Sequence, residues 1–134
     1  MLMAPNFART IPILRIFSVE KAKEYYVQFL GFKVDWEHQL DPEAPMYLQV
    51  SKGDLVLHLS EHHGDACPGS ALFVDMTGLE ALHREITAKG YRRMTPSIER
   101  SAWNTNVMRV TDPFGNRIVF NEADRARDSA VACK

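Results

Sequence analysis

Few side chains of this sequence have both the type and the setting for chemistry. His58 lies in "LVLHLS" (55–60), where strict alternation puts Val56, His58 and Ser60 on one side. An imidazole there is a satisfied polar group in a cleft, a ligand contact or a lone general base. His62 and His63 follow in "SEHHGD", a solvated loop or a lid over a ligand. Phe17, Trp36, Tyr47 and Trp103 are wide enough to stack on a flat ring. Trp36 and Trp103 fit equally well in a core or between subunits. Trp103 stands near Ser101, Asn104 and Asn106, the composition of a loop lip. Arg15 and Arg109 either pair with cleft acids or face solvent. No Ser/His/Asp or Cys/His arrangement is readable, and Cys67 has no neighbour that would make it a thiolate. No phosphate-cradling glycine loop occurs. The residues therefore nominate no catalytic group, and they describe a binding surface better than a reaction centre.

The totals narrow the choice further. The chain has 134 residues and a net charge of −1, so no global field recruits nucleic acid or a membrane. Locally the balance is uneven. Between Asp35 and Asp65 stand seven acids and the single base Lys52, a local balance of −6. That stretch is either a solvated acidic loop or a mouth attractive to a cationic ligand. Cys67 and Cys133 match neither a metal spacing nor a disulfide framework, and are expected as reduced thiols of a cytoplasmic protein. No apolar run approaches ~18 residues and no signal-peptide pattern is evident, so no membrane partner is expected.

The elements that must hold these residues come in duplicate. "ILRIFSVEKAKEYYVQFLGF" (13–32) and "LFVDMTGLEALHREITAKGY" (72–91) each read strand, amphipathic helix, then Gly-aromatic, 59 positions apart. Each half closes on a short apolar strand ending in Glu, "GDLVLHLSE" and "GNRIVFNE". Ser18 and Thr77 are the expected N-caps, and Gly31 and Gly90 the helix stops. Lys52-Gly53-Asp54 signals a hairpin, and Asp112-Pro113-Phe114-Gly115-Asn116 a structural turn. Pro96 marks the strand after Tyr91 as an edge or a bulge. The expected class is α+β: two βαβββ units with antiparallel-rich, curved four-stranded sheets around a concave cleft, helices outside. The boundaries read as lead-in 1–9, first unit 10–61, connector 62–69, second unit 70–122 and a charged, Ala-rich tail 123–134, expected as a frayed helix.

Alternation assigns faces. Leu14, Ile16, Leu55, Leu57 and Leu59 are expected under the first helix, with Ile11, Ile13, Arg15, Phe17, Val56, His58 and Ser60 facing inward. By the repeat, Ser70, Leu72 and Val74 face inward in the second unit, and Val119 takes the place of His58. Phe32, Val34 and Trp36 share one face of the third run.

The doubled order, "LRIFSVEKAKEYYVQFLGF" and "TDPFGNRIVFNE" resemble the vicinal oxygen chelate superfamily: glyoxalase I, extradiol dioxygenases, and the fosfomycin- and bleomycin-resistance proteins. The resemblance covers about residues 10–122. Its metalloenzymes hold a divalent ion with four inward side chains, and those positions carry over to Ile11, His58, Ser70 and Val119. Of these His58 alone is a competent ligand, so no metal and no other cofactor is expected. The bleomycin-resistance branch is the most similar, through "IPIL" and through Trp103, nine residues before the Asp-Pro turn. That likeness implies a homodimer that sequesters a planar, cationic, bleomycin-type antibiotic without chemistry. The implied ligand-binding residues are Phe17, Trp36, Tyr47, His58, Ser60, His62, Trp103 and Arg109. The alternative is a metal-dependent glyoxalase- or dioxygenase-type lyase or transferase of the same superfamily.

Overall fold

Why the sequence alternates twice becomes visible in a computed structural model, which describes residues 3–91 and 95–124. The first unit holds β1 (Ile13–Arg15), α1 (Val19–Lys23) continued as a π-helix (Glu24–Phe29), β2 (Lys33–His38), β3 (Tyr47–Lys52) and β4 (Leu55–Ser60). The second holds β5 (Ala71–Asp75), α2 (Leu79–Ala88), β6 (Ile98–Arg100), β7 (Asn106–Thr111) and β8 (Arg117–Glu122). Each unit forms one four-stranded sheet, in the orders β1-β4-β3-β2 and β5-β8-β7-β6. The β1/β4 and β5/β8 pairs are parallel, and the remaining pairs are antiparallel hairpin neighbours. The α+β class and the doubled order are as the sequence implies. The expected tail helix and Cys133 fall beyond residue 124, outside the described residues. Among the described residues no helix is long and apolar enough to cross a membrane.

Local signals explain the helix ends. Ser18 caps α1 by accepting a hydrogen bond from the Lys21 amide at 3.2 Å. Gly31 and Gly90 end the helical segments at φ 86° and 73°, a conformation that costs other residues strain. Two details differ from expectation. The cap of α2 is Gly78 rather than Thr77, and its amide is met instead by the Glu122 carboxylate at 2.6 Å. The strand after Tyr91 begins only at Ile98, past Pro96, and is the edge of its sheet.

The two units share one core. Leu14, Ile16, Leu48, Val50, Leu57 and Leu59 of the first sheet join Met108, Ile118 and Phe120 of the second. Tyr25, Tyr26, Phe29, Leu79, Leu82 and Ile86 from the helical segments complete the same cluster. The faces that carry the helices are thus the faces that meet. Polar ties reinforce the seam. The Tyr26 hydroxyl donates to Asp112 at 2.7 Å across the units, and the Lys89 ammonium donates to the carbonyls of Gln28 and Phe29 at 2.7 and 2.9 Å. Asp112 also accepts the Phe114 and Asn116 amides and the Asn116 side chain, whose Nδ2 in turn donates to the Arg15 carbonyl at 2.8 Å. The buried ends of the Asp-Pro-Phe-Gly-Asn turn, Asp112 and Asn116, therefore fasten one unit to the other. Burial, with the Asp112 charge second, pushes the phenols of Tyr25 and Tyr26 upward, so both stay protonated.

Candidate functional site

The opposite faces of both sheets carry aromatic rings that the chain itself does not cover. Trp36 is 42% exposed, Phe73 57% and Trp103 51%. On the first sheet the ladder sets Tyr47, Gln49, His58, Ile13 and Arg15 on this open face, because Leu48, Val50, Leu57 and Leu59 take the core face. Trp36 reaches the same face through an irregularity. Val34 pairs with Val50 on the core side, the register then shifts, and Trp36 pairs with Gln49. Asp35 is the extra residue of this bulge, which turns Trp36 away from the core side that alternation assigned it with Phe32 and Val34. Asp35 fixes the bulge by accepting from Gln49 Nε2 and Ser51 Oγ, both at 3.0 Å. These two hydrogen bonds, from Gln49 and then Ser51, hold its carboxyl below the usual range.

The result is a ring cluster. The Trp36 and Tyr47 rings lie nearly parallel, 8° apart with centroids at 6.0 Å. His58 stands edge-on to both at 5.3 and 5.2 Å, and His62 sits 6.3 Å from Tyr47. Both His58 nitrogens are engaged. Gln49 gives its amide nitrogen to Asp35, so its oxygen accepts the His58 Nε2 proton at 2.9 Å. Nδ1 is then the lone pair that accepts the Tyr47 hydroxyl at 2.7 Å. Burial, then the charge of Arg9, holds the imidazole below its ordinary pKa, which keeps it in this neutral form. Burial, then the charge of Asp65, raises the Tyr47 phenol.

The second sheet supplies a smaller group. Phe73 and Trp103 lie 6.4 Å apart, tilted by 48°. Buried Asn121 connects this pair to an acid. Its oxygen accepts Thr105 Oγ1 at 2.5 Å and Trp103 Nε1 at 3.4 Å, and its amide donates to Asp75 at 2.9 Å. The residues anticipated from the sequence are therefore partly gathered. Trp36, Tyr47, His58 and His62 form one cluster. Trp103 stands in the turn between β6 and β7 of the other unit, and Arg109 of β7 faces Val119 and pairs with Glu99 at 3.4 Å. Phe17 follows β1, under the Arg15 guanidinium at 4.7 Å and 6.1 Å from Phe114. Ser60 is buried on the same face as its ladder partners Arg15 and Tyr47, donating to Asp65 at 2.6 Å and accepting the His62 amide at 3.0 Å.

A face assignment in the second sheet also needs correction. Phe73 opposes Val119 as Ile13 opposes His58, so the repeat offset at β5 is 60, not 59. Leu72 and Val74 pack against the core instead of facing inward, and Phe73 and Asp75 take the open face. Phe73 and Asp75 were thereby missed from sequence, through a one-residue slip in a period of two. Gln49 and Asn121, on strands that the slip does not touch, were also missed. The slip also moves the carried-over metal position from Ser70 to Ala71. Ile11, His58, Ala71 and Val119 offer one imidazole, already hydrogen-bonded on both nitrogens. Among the described residues no three His, Cys, Asp or Glu group to hold a metal ion. The donor set does not fit the divalent ion of the superfamily's metalloenzymes.

Comparison with known proteins agrees with this architecture. The sequence matches the family described as "Glyoxalase superfamily protein" over residues 3–127. No curated protein matches it. Among solved structures, a bleomycin-binding protein complexed with bleomycin is similar at TM-score 0.68 and 17% identity, covering 88% of this chain and 100% of that one. The bleomycin-binding protein from bleomycin-producing Streptomyces verticillus, complexed with copper(II)-bleomycin, is similar at TM-score 0.65 and 26% identity, covering 90% and 100%. A member of the glyoxalase/bleomycin resistance protein/dioxygenase superfamily from Sphaerobacter thermophilus is similar at TM-score 0.63 and 21% identity, covering 87% and 98%.

Proposed function

The chain belongs to the glyoxalase superfamily, and we propose that it is a capture protein: it binds a planar, cationic small molecule of the bleomycin type on its aromatic open faces and releases it unchanged. The carrying observation is the pairing of exposed rings with inert donor positions. Trp36, Tyr47, Phe73 and Trp103 present flat apolar area. Ile11, Ala71 and Val119 stand where a metalloenzyme would place ligands. Each ring stacked on a heteroaromatic ligand contributes about 0.5–1.5 kcal/mol beyond area burial, so two or three of them decide affinity. Asp35 and Asp75, held by Gln49 and Asn121 beside the rings, supply negative charge for a cationic tail. Arg109, Phe17 and His62 border the faces, and Ser60 holds the His62 loop.

Two structural neighbours carry bleomycin in their crystals, which supports this ligand class. Rings exposed to this degree in one chain are best covered by a second copy, so the working form is a homodimer whose clefts draw rings from both copies. It acts in the cytoplasm without nucleic acid or membrane. The test is tryptophan fluorescence under titration with metal-free bleomycin. Quenching at micromolar ligand, with the drug recovered unaltered, is the expected result. No response up to millimolar drug, or turnover of a hemithioacetal or catechol upon addition of a divalent metal, overturns it.

A further inference from the structure

A second hollow lies on the other side of the molecule, where the units meet through their helices. It encloses about 660 Å³, within the range of sites for drug-sized ligands. Its floor is apolar and comes from both units: Leu30, Phe32 and Leu55 from the first, Val74, Leu82 and Phe120 from the second. Its rim is charged, and the charge is unbalanced. Two carboxylates (Asp54 and Glu85) stand there against one ammonium, Lys52, while the Asp75 side chain turns to Asn121 on the open face. Lys52 is already committed, since its Nζ lies 2.6 Å from Glu85 and bridges the hairpin of the first unit to α2 of the second. The bridge passes close over Gly31, where a Cβ would come within 2.6 Å of Lys52 Nζ and 2.7 Å of Glu85 Oε2. Asp54 enters no ion pair among the described residues. None of the ring residues of the open faces lines this hollow.

We propose that this inter-unit cleft is a separate binding site for a small amphipathic amine, its hydrocarbon or phenyl body on the partly exposed Leu55, Val74 and Met76 side chains above the buried floor and its protonated nitrogen at the Asp54 side of the rim. An apolar floor alone accepts any hydrophobe, but the surplus of acid favours a cation and repels a carboxylate of the same shape. The amine completes at Asp54 the pairing that Lys52 and Glu85 already make with each other.

The probes are 4-phenylbutylamine and its near-isostere 4-phenylbutyrate, titrated into the full chain and followed by backbone amide NMR shifts. The amine is expected to move resonances of Asp54, Leu55, Thr77, Gly78 and Ala81 with saturation at millimolar or lower concentration. Asp54→Asn, an exposed change, weakens the amine about threefold to fivefold, the effect of one partly exposed ion pair. Ala81→Trp fills the hollow and abolishes the shifts while leaving the Trp36 and Trp103 indole resonances in place. Equal binding of the butyrate overturns the proposal, as does an amine that moves only the open-face indoles, or no shift at the cleft in the millimolar range. Bleomycin binding can fail while these cleft shifts persist, so the two assignments stand or fall separately.

Discussion

His58 is the residue on which a catalytic reading would have to rest, and its surroundings assign it another role. With Nε2 donating to Gln49 and Nδ1 accepting from Tyr47, it locks the ring of Tyr47 beside Trp36. Protonation would give Nδ1 a proton opposite the Tyr47 hydroxyl. Because the folded pKa lies below the ordinary 6.5, the unfolded chain takes up the proton first as pH falls. Stability from the neutral imidazole is thus present above about pH 6.5 and declines below it, toward the lower folded value. The melting temperature of the wild type should fall more steeply than that of His58→Gln on going below pH 6.5. Parallel slopes in thermal melts of the two proteins would contradict the neutral assignment. Asp112 is the second residue with a sharp expectation. It is buried and accepts four hydrogen bonds, one from Tyr26 of the other unit. Asp112→Ala strands those donors and should destabilise by about 3 kcal/mol, measured by urea unfolding. Tyr26→Phe removes a single donor and should cost about 1–2 kcal/mol.

At the scale of elements, glycine placement and strand register carry the argument. Gly31→Ala combines a left-handed backbone with a Cβ that collides with the Lys52–Glu85 bridge, so it should cost more than the ~1 kcal/mol of strain alone. Gly53→Ala, at φ 59° with open space around it, should cost only that strain. Equal losses in denaturant melts would show that the bridge simply moves aside. Much of this level was legible beforehand. The repeat, the Ser18 cap, the two glycine stops, the hairpins and the core leucines of β4 all follow from local pattern, because capping and alternation are local physics. Two features were hidden for a physical reason. The bulge at Asp35 depends on Gln49 and Ser51 across the ladder, contacts that no alternation within β2 encodes. The face of β5 depends on one residue of offset between imperfect repeats, and Leu72 and Phe73 are both apolar, so hydrophobicity could not choose between them. The aromatic side chains of the site and their division between the two units were identifiable, whereas the faces taken by Trp36 and Phe73 were not.

The whole molecule is two sheets joined through their helix-bearing faces into a single core, with the rings turned out. A core shared at Tyr26–Asp112, Phe29–Tyr91 and Lys89–Phe29 should melt as one unit. Calorimetry should give a single transition, and two separable transitions would break the account of the seam. The same arrangement supports the capture reading: the exposed side offers flat rings beside carboxylates held by Gln49 and Asn121. The most direct measurement is isothermal titration of metal-free bleomycin into the wild type and into Trp36→Ala/Trp103→Ala. The account predicts micromolar or tighter binding by the wild type and a loss of about 1–3 kcal/mol in the variant, with its fold intact by circular dichroism. Undiminished affinity after removal of both indoles would contradict it.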